Sequence, residues 1–92
     1  MSASSELTRS RVVRLPAGVD LHARPAGALI RGAAKFEACV TLSYGDRTAD
    51  AKSILQVLAL GATGGTDLTV STSGPDSSDA LEAIAVLLEH LA

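Results

Sequence analysis

A histidine and an arginine lie two positions apart in residues 21–26, whose sequence is LHARPA. Histidine is the side chain that most readily offers a neutral, nucleophilic ring nitrogen near neutral pH, and His22 supplies one. Arg24 adds a permanent cation whose donors match the oxygens of a phosphate. Pro25 fits the first turn of a helix, and a helix start offers unpaired N–H groups and a positive dipole end to an anion. The segment therefore predicts a histidine that carries a phosphoryl group.

The competing interpretation of His22 is a solvated loop side chain without a chemical role, and these six residues alone leave both interpretations open. A metal site is disfavoured, because the other histidine, His90, is near the end of the sequence and Cys39 is the one cysteine. We therefore expect no metal ion and no cofactor. We predict that His90 lies in the last turn of a helix, where a cation suits the dipole, and that Cys39 is a small filler in a strand.

Length and composition predict one small domain. The 92 residues suffice for a single core, with a polar lead-in over residues 1–9 and the domain over residues 10–92. Apolar residues make up 47% of the chain and aromatic residues 2%, so the core must consist of aliphatic side chains. The net charge of −2 argues against nucleic-acid binding through a basic surface. The single cysteine and the lack of a secretory or membrane-length apolar segment predict a cytoplasmic protein that does not insert into a membrane.

Hydrophobic spacing predicts the strands that must position the site. Alternating or β-branched runs predict strands over residues 11–15, 39–44, 47–50 and 67–72. The turn at residues 45–46 is short enough to join the two middle strands as a hairpin.

Helical spacing predicts three helices. The first covers residues 23–35, with an apolar face formed by Ala26, Leu29, Ile30, Ala33 and Ala34. The second covers residues 54–60, with Ser53 as its N-cap and Gly61 beyond its end. The third follows the acidic segment 76–79, and its predicted apolar face consists of Ala80, Ala83, Ile84, Leu87, Leu88 and Leu91.

The predicted order of elements is βαββαβα. This order alone is compatible with a small parallel α/β unit, but the hairpin demands an antiparallel pair. We therefore predict an α+β fold with its helices on one face of the sheet.

Three blocks of sequence, in this order, carry a resemblance to a known family. They are residues 21–26; Lys52-Ser53-Ile54 with Leu60-Gly61 and Gly64-Gly65; and Ser73-Gly74 with Asp76 and Asp79-Ala80-Leu81. With this spacing, the chain after Ser10 resembles the HPr family, the histidine-containing phosphocarrier proteins of the bacterial sugar phosphotransferase system. The resemblance implies an open-faced β-sandwich, in which three helices cover one face of a four-stranded antiparallel sheet.

The resemblance also implies a function. Enzyme I would transfer phosphate from phosphoenolpyruvate to Nδ1 of His22, and a IIA domain of a sugar permease would remove it. Arg24 would steady the phosphoryl group without trapping it. Such a protein is a carried substrate rather than an enzyme, and we expect it to be a monomer.

Two further parts of the second helix match functional features of the family. Ser53 matches a regulatory serine that an ATP-dependent HPr kinase/phosphorylase modifies in some bacteria, although it also fits a plain N-cap. Ile54, Leu55 and Leu58 match an apolar patch that binds enzyme I and IIA, although core packing competes with that interpretation. We expect these three side chains to be partly exposed, with Val57 and Leu60 facing inward.

Charged residues near the site leave alternatives open. Arg31 and Lys35 suit docking to an acidic partner, or they form a solvated helix face. Asp20 departs from the family, which usually has glycine two positions before the histidine. Aspartate adopts glycine-like backbone angles better than most residues, but its charge should oppose phosphorylation unless it points away or pairs with Arg24.

Other functions stay open at this level. A specialised relay for nitrogen regulation or for a dihydroxyacetone kinase belongs to the same class. A regulatory module that binds transcription factors or enzymes, or a small-molecule-binding domain of similar layout, belongs to other classes. A kinase is disfavoured, because the chain has no glycine-rich nucleotide loop.

Overall fold

The computed structural model describes residues 8–91 of the chain. Its elements, in chain order, are β1 (Thr8–Arg14), α1 (Ala23–Ala33), β2 (Cys39–Tyr44), β3 (Arg47–Asp50), α2 (Ile54–Leu60), β4 (Asp67–Ser73) and α3 (Ser77–Glu89). This confirms the predicted order βαββαβα. The predicted polar lead-in lies outside the described residues except for residues 8 and 9, which belong to β1.

The four strands form one antiparallel sheet in the order β1-β4-β2-β3. The β2–β3 hairpin turns at Gly45, whose φ of 63° suits a residue without a Cβ. Side chains alternate along the strands, so that Leu68, Val70 and Thr72 of β4 are buried while their neighbours are more exposed. The helices cover the face on which these buried side chains lie. The predicted α+β open-faced β-sandwich is therefore confirmed.

Strand β1 begins three residues before its predicted start and ends one residue before its predicted end. Its first half is polar and exposed, so hydrophobic alternation gives no signal there. It forms nevertheless because Thr8 and Ser10 pair with Ser73 and Ser71 of β4. Leu15 leaves the strand, is fully buried, and bonds through its N–H to the carbonyl of Thr66 at 3.0 Å.

Helix α1 ends at Ala33, two residues before its predicted end. The N–H of Lys35 bonds to Gly32 and that of Phe36 to Ala33, a three-residue spacing that tightens and ends the helix. Ala34 is exposed rather than buried, which corrects its predicted place on the apolar face.

The buried face of α3 is rotated from the predicted one. The buried apolar residues are Ala80, Leu81, Ile84, Ala85 and Leu88, whereas Ala83 is exposed. Leu87 and Leu91 are partly buried and pack against the core. The reason is tertiary: α3 contacts β1, β4 and α1 together, so it buries a wider face than a helix that packs on a single surface.

The core is aliphatic, as predicted. Its largest fully buried side chains are leucines, valines and one isoleucine, drawn from all three helices and from β1, β2 and β4. Cys39 lies in a strand, as predicted, and is exposed at the start of β2. Its position on the solvent face follows from the alternation that buries its neighbour Val40.

Candidate functional site

His22 is the N-cap residue of α1, with an extended backbone (φ −86°, ψ −167°). Its carbonyl accepts the N–H of Ala26 at 2.9 Å, while its side chain makes no capping hydrogen bond. The side chain is 82% exposed. Because Leu21 before it and Ala26 after it are buried, the backbone is anchored while the imidazole is open to solvent. This arrangement leaves the imidazole accessible to a molecule that approaches from solvent.

Arg24 lies in the first turn of α1 and is exposed. The first N–H groups of a helix have no partner within the helix, and Pro25 contributes no N–H. The N–H groups of Ala23 and Arg24 therefore accompany the guanidinium at the positive end of the helix dipole. An anion held on His22 would meet both kinds of donor.

Asp20 bridges the site to a neighbouring loop. Its Oδ1 accepts the N–H of Gly64 at 2.8 Å, and its Oδ2 lies 3.9 Å from Nε2 of His22. The carboxylate therefore does not point away from the histidine. No ion pair within residues 8–91 includes Arg24, so Asp20 does not pair with it either.

The backbone of Asp20 is not glycine-like. Every described residue with a positive φ is a glycine, so Asp20 is not in the left-handed region. Its carbonyl instead accepts the N–H of His22 at 2.8 Å, which tightens the chain just before the helix.

Residues 61–66, between α2 and β4, form the support loop of the site. The N–H of Leu21 bonds to Ala62 at 3.0 Å. Leu15 exchanges two more bonds with this loop, donating to Thr66 and accepting from Gly65, both at 3.0 Å. The paired glycines of this loop were a signal in the sequence, since glycines between two elements often mark a close backbone approach. The supporting role of the loop was nevertheless not predicted.

Tyr44 reinforces the support loop from the end of β2. Its hydroxyl lies 3.4 Å from the hydroxyl of Thr63. The hydrogen bond with Thr63 lowers the pKa of Tyr44 below its ordinary value, with a further bond to Thr66 acting in the same direction. The loop under His22 is thus held on both sides.

Ser53 caps α2, as predicted. Its Oγ accepts the N–H of Gln56 at 3.3 Å, and the Gln56 side chain accepts the N–H of Asp50 at 2.9 Å. Gly61 ends the helix with a left-handed φ of 69°. The cap ties the start of α2 to the end of β3 and leaves Ser53 only partly buried.

The exposed face of α2 is apolar. Ile54 and Leu58 are each 39% exposed and Leu55 is 77% exposed, whereas Val57 and Leu60 are buried. This confirms the predicted division of the helix into an inward and an outward face. We call Ile54, Leu55 and Leu58 the α2 patch; a contiguous exposed apolar surface of this kind often marks a contact site.

Basic side chains lie on α1, which packs against α2. Arg31 is exposed in the last turn of α1, and its guanidinium folds back over Gly27, with Nη1 3.4 Å from where a Cβ would be. Lys35 is exposed just beyond the helix. Positive charge and apolar surface therefore occur on two adjacent helices.

Asp76 has a role that the sequence did not reveal. It was predicted to be one of the acids that favour the start of α3, but it makes no side-chain cap bond there. Its carboxylate instead accepts the N–H groups of Glu37 at 2.9 Å and Ala38 at 2.8 Å. The bond from Glu37 is the main cause that lowers the pKa of Asp76, and burial opposes it. Asp76 thus clasps the turn that follows α1.

His90 is the C-cap residue of α3, and its Nδ1 lies 2.8 Å from the carbonyl of Val86. This agrees with its predicted place at the helix end. No three His, Cys, Asp or Glu side chains of residues 8–91 are grouped so that they could hold a metal ion. Within the same residues, no helix is long and apolar enough to cross a membrane.

Comparison with known proteins places this geometry in a family context. A family model described as the PTS HPr component phosphorylation site matches residues 8–90. The phosphocarrier protein HPr of Vibrio cholerae is 34% identical over 79 residues, which cover 86% of this chain and 93% of the relative.

Solved structures give the same result. The crystal structure of HPr from Bacillus anthracis superposes with a TM-score of 0.85 at 30% identity, covering 89% of this chain and 98% of that one. Crh of Bacillus subtilis, a catabolite repression protein crystallised as a dimer with a swapped domain, superposes with a TM-score of 0.71 at 34% identity; 83% of this chain and 85% of that one are covered.

Proposed function

The chain belongs to the HPr family of phosphocarrier proteins of the phosphotransferase system, and from this premise we propose that His22 accepts a phosphoryl group and passes it on. A phosphocarrier is the substrate of the proteins that load and unload it, and is not itself a catalyst. The observation that carries the proposal is the position of His22. It is the exposed N-cap of α1 on an anchored backbone, with no hydrogen bond that occupies its side chain as a cap.

The transfer proceeds by attack of a neutral ring nitrogen of His22, Nδ1, on the phosphorus atom of a phosphorylated donor. A nitrogen–phosphorus bond forms, the bond to the donor breaks, and its electron pair leaves with the donor atom. The second transfer repeats the step with His22 as the leaving group. An exposed imidazole suits both steps, because donor and acceptor must each reach the same nitrogen.

Arg24 and the start of α1 stabilise the charge of the phosphoryl group. The guanidinium offers several donors in a plane that fits phosphate oxygens, and the N–H groups of Ala23 and Arg24 add the anion site of a helix start. Both are exposed to solvent rather than enclosed, so they hold the group without burying it. A carrier must release its cargo, and an open anion site permits release.

The proposed donor is enzyme I and the proposed acceptors are IIA domains of sugar permeases. The α2 patch supplies apolar contact area, and Arg31 and Lys35 supply positive charge for an acidic partner surface. One chain contains every group named in the mechanism, so we propose that the protein acts as a monomer.

Regulation at Ser53 is part of the proposal. The residue is partly exposed and precedes the α2 patch directly. A phosphate there would add a charge of about −1.5 to −2, which a helix N-terminus tolerates. The same charge would repel an acidic partner at the patch, so an HPr kinase/phosphorylase acting on Ser53 would reduce loading of His22.

Labelling with phosphate tests the carrier function. The protein is mixed with enzyme I, magnesium and labelled phosphoenolpyruvate, and we expect label that is stable in base and labile in acid. His90 provides a matched control, because it is the other histidine of the chain. We expect His90→Ala to retain the label and His22→Ala to lose it.

The outcomes separate two errors. An unlabelled wild-type protein would contradict the carrier function. Label that persists in His22→Ala would leave the carrier function standing and contradict the site.

A further inference from the structure

The proposed transfer does not use the Asp20 carboxylate, which lies between His22 and the support loop. One oxygen is fixed by the Gly64 N–H at 2.8 Å, and the other faces Nε2 of His22 at 3.9 Å. The imidazole is 82% exposed, so it is free to rotate, whereas the carboxylate is only 40% exposed and is tethered. The fixed partner is therefore Asp20, and the adjustable one is the histidine ring.

A neutral imidazole carries one proton, on either Nδ1 or Nε2, and the nitrogen without the proton is the nucleophile. A carboxylate beside Nε2 favours the proton on that atom, because the N–H dipole and the anion attract each other. A separation of 3.9 Å is too long for a hydrogen bond, but a small rotation of the exposed ring closes it. Nδ1 is then left with its electron pair free.

We propose that Asp20 is a positioning residue that holds the proton of His22 on Nε2 and so reserves Nδ1 for the phosphoryl group. The proposal rests on the carrier function of His22. The charge of Asp20 lies on the Nε2 side of the ring, which moves it away from the incoming phosphoryl oxygens. This orientation of the carboxylate explains how an acidic residue is accommodated two positions before an anion site.

The position of Asp20 also affects the charge on the ring during the transfer. When Nδ1 of the Nε2–H form bonds to phosphorus and the donor atom leaves with its electron pair, the ring becomes positively charged. Asp20 faces the N–H that shares this charge and stabilises it. On unloading, the nitrogen–phosphorus bond breaks, its electron pair returns to Nδ1, and the ring is neutral again with its proton still on Nε2.

The position of the proton is measured directly by NMR. The unphosphorylated protein is labelled with ¹⁵N-histidine, and long-range ¹H–¹⁵N correlations of His22 are recorded at a pH where the imidazole is neutral. In Asp20→Asn, the amide oxygen can still accept from Gly64 while the amide nitrogen becomes a donor facing Nε2. Asp20→Gly removes both interactions. Glu89→Gln, at the far end of α3, is the matched control for loss of one negative charge.

We expect the fraction of the Nε2–H form to fall in the order wild type, Asp20→Gly, Asp20→Asn. The ratio of the two forms should drop about two- to fivefold from wild type to Asp20→Gly, the effect of a partly exposed charged contact, and further in Asp20→Asn. Glu89→Gln should match the wild type. The amide signal of Gly64 reports whether the loop is intact in Asp20→Asn. If the loop is disturbed, the tautomer ratios of wild type and Asp20→Gly alone test the proposal.

The same ratio in wild type and Asp20→Gly would overturn the proposal, as would a higher Nε2–H fraction in an intact Asp20→Asn. A merely structural role for Asp20 would alter the loop signals without this order. Because the measurement needs no phosphate, a wild-type protein that is never phosphorylated would contradict the carrier function and leave the result on Asp20 unchanged.

Discussion

A Cβ atom on Gly64 would lie 2.4 Å from the backbone nitrogen of Val19. The support loop therefore touches, backbone against backbone, the segment that leads to His22. The N–H of Gly64 also holds the Asp20 carboxylate at 2.8 Å. Position 64 is thus fixed by contact distance, because its φ is not in the left-handed region that favours glycine.

Gly64→Ala should destabilise the protein by about 1–3 kcal/mol, the usual cost of an extra carbon in a packed place. It should also slow acceptance of phosphate, because the loop and Asp20 must move. Gly27→Ala is the matched control: its Cβ would meet only the flexible end of Arg31, at 3.4 Å, and alanine favours a helix interior by about 0.5–1 kcal/mol. Urea unfolding should show a lower free energy of unfolding for Gly64→Ala and a higher one for Gly27→Ala. Equal changes in the two variants would contradict the steric explanation.

Asp76→Asn should reduce the dependence of stability on acid. The folded pKa of Asp76 is lowered from 3.8, chiefly by the N–H of Glu37. A lowered pKa means that the carboxylate stabilises the fold above the unfolded value, and that this stabilisation is lost as the pH falls through the folded value. Melting temperatures at pH 7 and at about pH 3 should therefore differ less in Asp76→Asn than in the wild type.

Asp79→Asn is the control for Asp76. It lies in the first turn of α3 and is exposed, and no side-chain hydrogen bond to it occurs within residues 8–91. The difference between the melting temperatures of Asp79→Asn at pH 7 and at about pH 3 should stay close to that of the wild type. If Asp79→Asn flattened the pH profile as much as Asp76→Asn, the clasp on Glu37 would not be the cause.

Leu55 and Leu60 separate docking from folding on one short helix. Leu55 is 77% exposed and Leu60 is 2% exposed. Leu60→Ala should cost about 2–5 kcal/mol of stability, whereas Leu55→Ala should change it by no more than about 0.5 kcal/mol. Leu55→Glu should keep a cooperative melt by circular dichroism and yet weaken phosphoryl transfer. Loss of the fold in Leu55→Glu would instead make Leu55 a core residue.

Local sequence patterns predicted the secondary-structure bounds that neighbouring residues determine. The bounds of β2 and β3 match, because alternation and the turn at Gly45 are contained within twelve residues. The cap at Ser53 and the end at Gly61 match for the same reason. The strand order β1-β4-β2-β3 depends on pairing between distant segments, and it was not predicted from the sequence.

The candidate site divides in the same way. His22 and Arg24 were predicted because their chemistry and their place before a proline are visible in six residues. The bond from Gly64 to Asp20 joins residues 44 positions apart, and no periodicity reports such a contact. The role of Asp76 was missed because an acid before a helix is usually an N-terminal charge, whereas its carboxylate here turns to Glu37.

Ser53 tests whether capping and regulation can be separated. The side chain of Ser53 accepts the N–H of Gln56 at 3.3 Å, so Ser53→Ala should lose about 0.5–2 kcal/mol. Aspartate is an equally good N-cap, so Ser53→Asp should retain the stability of the wild type. Its negative charge, however, stands next to the α2 patch, as a phosphate would.

Ser53→Ala should therefore change stability but not phosphate acceptance, and Ser53→Asp should change phosphate acceptance but not stability. Ser53→Ala should melt earlier and still accept phosphate from enzyme I, whereas Ser53→Asp should melt with the wild type and accept phosphate more slowly. Raising the salt concentration should restore part of the rate of Ser53→Asp, because exposed charges are screened. If Ser53→Asp accepted phosphate at the wild-type rate at low salt, charge at this position would not regulate loading, and Ser53 would be a cap alone.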